Sequence, residues 1–196
     1  MSIFSNMSVV IPCSHDEPSE WVQELVAVAL DEANDVWVVC ESESIATTLA
    51  ISGTERLRVR AQSQPGGGKV SALNDGLQWA RSTFVVFIDS DVKLAGGEIT
   101  TTEELLDSGV DFVGAGYGRK AAFPILSPTS GWFFGARKTT FIAAGGWKGD
   151  GLNEDVFTIR GLQKQGYRVV DGGFTVGLRR PVKNPAVKFL SAMFGR

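Results

Sequence analysis

The sequence predicts an α/β fold: a mostly parallel sheet with helices on both faces. Three observations support it. Short apolar runs alternate with helix-like stretches through the first half, giving the order βαβαβαβ; most of the distinctive polar residues fall just after the apolar runs; and 196 residues suit one hydrophobic core. Ser8–Pro12 reads as a buried strand, and Glu17–Ala33 as an amphipathic helix with Trp21, Leu25, Val28 and Ala29 on one face. Val36–Cys40 is the second strand, Ser44–Ile51 a short helix, Leu57–Arg60 a third strand and Val70–Ala80 a helix. Thr83–Ile88 is the clearest strand, with bulky apolar residues running straight into Asp89-Ser90-Asp91. Beyond it, Asp111–Gly114 and Trp132–Ala136 read as strands, and Thr139–Ala144 and Asp155–Gln165 as helices.

Composition narrows the function classes. No apolar run approaches the ~20 residues of a membrane-spanning helix, and the N-terminus lacks the order of a signal peptide, which predicts a cytoplasmic protein. Cys13 and Cys40 make neither a disulfide framework nor a zinc motif and are expected as reduced thiols. The net charge of −3 conceals segregation: residues 1–55 hold ten acids and no Lys or Arg, whereas after Asp171 there are five bases and no acid. One short basic tail is too little for a nucleic-acid face, so no nucleic-acid partner is expected.

In an open parallel sheet, ligands bind beyond the carboxyl ends of the strands. Asp89-Ser90-Asp91 lies at such an end, where paired carboxylates hold Mg²⁺ or Mn²⁺ against phosphates; the alternative is a solvated turn. Pro65-Gly66-Gly67-Gly68-Lys69 opens a helix and invites a phosphate-loop reading. A Walker A motif, however, needs Gly where Ser63 stands and Ser or Thr where Val70 stands. Glu154-Asp155 reads either as acidic capping of a helix start or as a carboxylate pair able to take a proton from an acceptor hydroxyl. Trp132 and Trp147, each beside Gly, are core residues or sugar-stacking platforms. His15, the one histidine, is a loop residue or a ligand contact.

In this order the fragments resemble glycosyltransferase family 2, whose nucleotide-sugar domain has the GT-A fold. The resemblance rests on Val9–Pro12, Gly68-Lys69-Val70-Ser71-Ala72-Leu73-Asn74, Phe87–Asp91, Ser130-Gly131 through Arg137-Lys138, Gly145-Gly146-Trp147, and Glu154-Asp155 followed by Gly166–Val169. It implies a GT-A type Rossmann-like α/β/α sandwich over residues 1–180, with a nucleotide-binding half (1–92), an acceptor half (93–180) and a basic amphipathic tail (181–196). It also implies inverting, metal-dependent transfer from a nucleotide-diphosphate sugar, a UDP-sugar being favoured, to a glycan, lipid-linked or small-molecule acceptor. Pro12, Ser14, Glu41, Lys69, Asn74, Asp89, Ser90 and Asp91 are the expected donor-binding residues, and Asp91 the Mn²⁺ or Mg²⁺ ligand. Asp155 is the expected base, Glu154 its orienting partner, and Trp132 and Trp147 the acceptor contacts.

Departures from the family pattern are specific. Cys40-Glu41 stands where the family usually has Asp-Asp, Ser14-His15-Asp16 replaces the usual Tyr and Asn, and no Gln-x-x-Arg-Trp follows Asp155. The last argues against a processive synthase, and the short stretch after Asp155 predicts a compact or truncated member. The alternatives are a catalytically silent nucleotide-sugar-binding module and a P-loop-like nucleotide hydrolase. Basic and large apolar residues are interleaved from Arg179 to Arg196, which reads either as peripheral membrane contact for the tail or as a closing helix packed on the domain, with Arg179 and Arg180 reaching back to the diphosphate as a third reading.

Overall fold

The computed structural model describes residues 5–49, 54–116, 129, 131–149 and 154–179. The expected tail, Arg180 and Ser130 lie outside them. One seven-stranded sheet runs in the order β3-β2-β1-β4-β7-β6-β8. Its strands are β1 (Met7–Cys13), β2 (Asp35–Cys40), β3 (Leu57–Ala61), β4 (Phe84–Ile88), β6 (Phe112–Gly114), β7 (Phe133–Arg137) and β8 (Val169–Asp171). Every pairing is parallel except those of β7, which runs antiparallel to both β4 and β6. The expected mostly parallel sheet is therefore present, and both halves of the chain contribute to it.

Strand alternation builds a core on each face. Met7, Val9, Ile11 and Cys13 of β1 point to the same side as Phe84, Val86 and Ile88 of β4, against Val22, Leu25 and Ala29 of α1 (Ser19–Glu32) and Ile99 and Leu106 of α4 (Glu98–Asp107). Val10, Val85 and Phe87 point the other way, against Ala72, Leu73 and Leu77 of α3 (Gly68–Trp79), Phe141 of α5 (Lys138–Ala143) and Ile159 and Leu162 of α6 (Glu154–Lys164). The remaining helix, α2 (Glu43–Thr48), is short. Among the described residues no helix is long and apolar enough to cross a membrane.

Four elements were not read from the sequence. Helix α4 carries three consecutive threonines, which are poor helix formers, so its pattern is masked. Carboxylates at its start hold it: its own Glu98 accepts the N–H groups of Ala95 and Gly96 at 2.7 and 2.8 Å, and Glu32 of α1 accepts Gly97 N–H at 2.7 Å. Strand β8 is only three residues long, and β5 (Val92–Lys93) and β9 (Gly177–Leu178) only two each; β5 and β9 form a separate antiparallel pair. That pair brings the Arg179 N–H to the Asp91 carbonyl at 2.8 Å, so the end of the described chain braces the acidic turn.

Candidate active site

The carboxyl ends of β1, β2, β3 and β4 open into one cleft of about 330 Å³. Pro12, Ser14, Glu41, Lys69, Asp89, Ser90 and Asp91 all line it, so seven of the eight expected donor-binding residues meet there. The cleft also takes in Cys13, Glu17, Gln62, Gly68 and Ala72, which sequence reasoning did not select. Gln62 had a usable signal: it directly follows β3, the topological equivalent of Ser14 after β1 and Glu41 after β2. It is 5% exposed and its Nε2 donates to the Glu41 carbonyl at 3.3 Å.

The acidic turn is held from three sides. Asp89 N–H donates to the Trp132 carbonyl at 2.9 Å, Val92 N–H closes the turn on the Asp89 carbonyl at 3.0 Å, and Arg179 N–H takes the Asp91 carbonyl. The turn reading of Asp89–Asp91 is thus correct for the backbone, but the side chains face the cleft. The Arg179 side chain points away, to Glu24 at 2.5 Å and over the Trp21 ring.

Lys69 sits in the first turn of α3, and its Nζ lies 2.7 and 2.8 Å from the two Asp89 oxygens and 2.6 Å from Glu154 Oε1. One ammonium therefore joins the acidic turn after β4 to the acidic start of α6. Burial works against the Lys69 charge, but attraction to Asp89 and Glu154 outweighs it and raises the lysine above its ordinary range. Burial raises the Asp89 carboxyl, Lys69 opposes that, and Glu154 and Asp91 push it up again, to about 6.

Asp155 is 7% exposed and sits next to Glu154, with Oδ1 accepting the Val156 N–H at 2.8 Å. Its Cβ packs on Gly131, where an added methyl would come within 1.9 Å. Neither Asp155 nor Glu154 lines the cleft; the tie between this pair and the cleft is the Glu154 carboxylate on Lys69. Cys13 and Cys40 face each other in register at the strand tips; hydrogen bonding from Cys40 lowers the Cys13 thiol and raises that of Cys40. His15 is exposed at the rim, with its ring nitrogens 3.3 Å from Glu41 and 2.8 Å from Asp16.

Two expectations need correction. The Asn74 amide lies outside the cleft: Oδ1 accepts Trp147 N–H at 3.0 Å and Nδ2 donates to the Trp147 carbonyl at 3.1 Å. Trp147 is 3% exposed, edge-on to Phe87, Phe134 and Phe141, so its ring offers an acceptor no platform. Trp132 is half-buried against the core and lies outside the cleft lining.

Among the described residues, no three His, Cys, Asp or Glu side chains form a ready-made metal cage. A hard cation shared between one or two carboxylates and a diphosphate needs no such cage. Among the described residues, Glu17, Glu41, Asp89 and Asp91 line the cleft against Lys69 as the one lining cation, so a diphosphate entering alone meets net negative charge there. The donor set therefore suits a divalent cation, with Asp91 as the residue that would hold it, since both Asp89 oxygens are engaged by Lys69.

The model of the family described as glycosyl transferase family 2 matches residues 8–150. The chain belongs to glycosyltransferase family 2. A curated relative, the uncharacterized glycosyltransferase EpsJ of Bacillus subtilis (strain 168), is 27% identical over 120 residues. That match covers 59% of this chain and 35% of EpsJ. The mannosyltransferase PcManGT of Pyrobaculum calidifontis, solved with GDP-Man and Mn²⁺, superposes with a TM-score of 0.75 at 17% identity, covering 98% of this chain and 63% of that one. Glucosyl-3-phosphoglycerate synthase of Mycobacterium tuberculosis, solved with Mn²⁺, UDP-glucose and phosphoglyceric acid, gives 0.66 at 18% identity over 95% and 77%. These likenesses establish the GT-A fold for this family 2 chain.

Proposed function

We propose that this chain transfers a sugar from a nucleotide-diphosphate sugar to an acceptor hydroxyl with inversion at the anomeric carbon. The observation that carries the reading is the Lys69 bridge. It unites Asp89, from the turn that faces the donor diphosphate, with Glu154, from the segment that carries the base. A cleft built for donor binding alone has no need of a second buried acidic pair tied to it.

The donor's nucleotide lies over the ends of β1 to β3, between Pro12, Ser14, Glu41 and Gln62, and Asp89 faces the ribose. When bound, a divalent cation at Asp91 neutralises charge on the departing diphosphate. Asp155 takes the proton of the acceptor hydroxyl; the acceptor oxygen bonds to the anomeric carbon as the bond from that carbon to the diphosphate oxygen breaks, releasing nucleoside diphosphate. Glu154, fixed by Lys69, sets the direction in which Asp155 meets the acceptor. UDP- and GDP-sugars are the donors to try first, since solved relatives of this fold carry UDP-glucose and GDP-Man. Lys69 held between two carboxylates is also a poor phosphate-loop lysine, which weighs against the hydrolase alternative.

Asp155→Asn tests the assignment. It keeps donor affinity and loses turnover by ~10²–10⁴-fold, the usual range for a general base. Equal loss of both would leave Asp155 a helix cap.

A further inference from the structure

We propose that Asn74 is a positioning residue: its amide clasps the peptide of Trp147 and thereby sets the place of the Glu154-Asp155 turn relative to Lys69. The clasp is two-sided, with Oδ1 on Trp147 N–H at 3.0 Å and Nδ2 on the Trp147 carbonyl at 3.1 Å. The two bonds fix which way the amide faces, because exchanging its oxygen and nitrogen would oppose like groups at both ends. Gly146 completes the fit, with φ +64 and its missing methyl 2.6 Å from Asn74 Oδ1, so a side chain there would collide with the amide.

Beyond Trp147 the path continues to the catalytic turn. Thr158 Oγ1 accepts the Lys148 N–H at 3.0 Å, and Thr158 lies one helical turn after Glu154 on α6. The Trp147 ring is locked among Phe87, Phe134 and Phe141, so the 146–148 segment is rigid against the sheet. Helix α3 therefore touches α6 twice: directly, through Lys69 on Glu154, and indirectly, through Asn74, Trp147, Lys148 and Thr158. Two struts fix both distance and orientation, whereas the flexible lysine alone fixes only distance. Asn74 thus belongs to catalysis through backbone geometry and not through contact with the nucleotide.

The turnover part of this inference rests on the glycosyl-transfer reading; the clasp itself does not. Asn74→Ala and Thr158→Val are compared with the unaltered chain by amide hydrogen exchange, by calorimetric binding of GDP and UDP with Mn²⁺, and by steady-state transfer. The expected result is faster exchange confined to 146–148 and 154–158, nucleotide affinity within about threefold, and kcat lowered by ~10²-fold at unchanged donor KM, as a small misplacement of reacting groups gives. Weaker nucleotide binding by Asn74→Ala with kcat intact would make Asn74 a donor ligand and overturn the proposal. So would exchange at 154–158 left unchanged in both variants. Should Asn74→Ala fail to fold, Thr158→Val decides alone. Transfer absent even from the unaltered chain would count against the functional reading, while the exchange comparison would still decide the clasp.

Discussion

Replacing Lys69 with methionine keeps the stem of the side chain and removes the ammonium that lies 2.6–2.8 Å from three carboxylate oxygens. The side chains of Lys69, Asp89 and Glu154 are 29%, 18% and 6% exposed, so water screens the stranded acids only in part. Breaking one partner out of a buried ion pair costs ~3–5 kcal/mol, which for a chain of this size lowers Tm by about 6–20 °C. The sign of the pH dependence is fixed by the same charges. Without the ammonium nothing opposes the burial and the Glu154 charge that raise the Asp89 carboxyl, so the variant is more stable below about pH 4, the unfolded range, and loses that advantage as pH rises. Urea melts at pH 5 and pH 8 measure both effects: the deficit against the unaltered chain is large at pH 8 and smaller at pH 5. A deficit below ~1 kcal/mol at pH 8, or one that grows as pH falls, would refute the claim that Lys69 neutralises a buried acidic pair.

Other outcomes follow from the same geometry. Asp91→Asn weakens Mn²⁺-dependent nucleotide binding at least ~10-fold, about 1.4 kcal/mol, in calorimetry with the thermal midpoint little changed; unchanged binding would remove Asp91 as the metal residue. In the unaltered chain burial raises the Asp89 carboxyl to about 6, so ionising it costs folding stability as pH rises through that value, and Mn²⁺ at Asp91 binds more tightly above pH 6, where the ionised Asp89 nearby adds its charge, than below it. Isothermal titrations at pH 5 and 7.5 check this, and pH-independent affinity would contradict it. Gly131→Ala drives a methyl to within 1.9 Å of Asp155 Cβ, so it costs ~1–3 kcal/mol and lowers transfer more than donor binding. Equal turnover in this variant would mean Asp155 is free to shift without consequence.

The donor half was largely legible from the sequence because each strand ends where its polar residues begin. Val86, Phe87 and Ile88 cannot be solvated, so Asp89 after them must sit at an edge, and the same logic places Ser14 and Glu41. The acceptor half was harder for three physical reasons. Strand β7 runs antiparallel, β5, β8 and β9 are very short, and α4 depends on Glu32 of α1 as well as its own Glu98 to hold its start, so periodicity carried little there. Asn74 and Trp147 were misplaced for a different reason. A polar residue in a ligand-binding motif looks the same whether its amide meets a nucleotide or a distant peptide, and the partner here lies far along the chain. The apolar neighbours of Trp147, Phe134 and Phe141 among them, come from separate elements that only the fold brings together.

Inverting glycosyl transfer by this chain is measured by incubating it with GDP-mannose, UDP-glucose and related nucleotide sugars, with and without Mn²⁺, beside a panel of hydroxyl acceptors, and resolving the products by mass and anomeric configuration. The expected result is Mn²⁺-dependent release of nucleoside diphosphate matched by a glycosylated acceptor of inverted configuration, abolished by Asp155→Asn while donor binding persists. Donor bound tightly with Mn²⁺ yet never consumed, or a product of retained configuration, would contradict it.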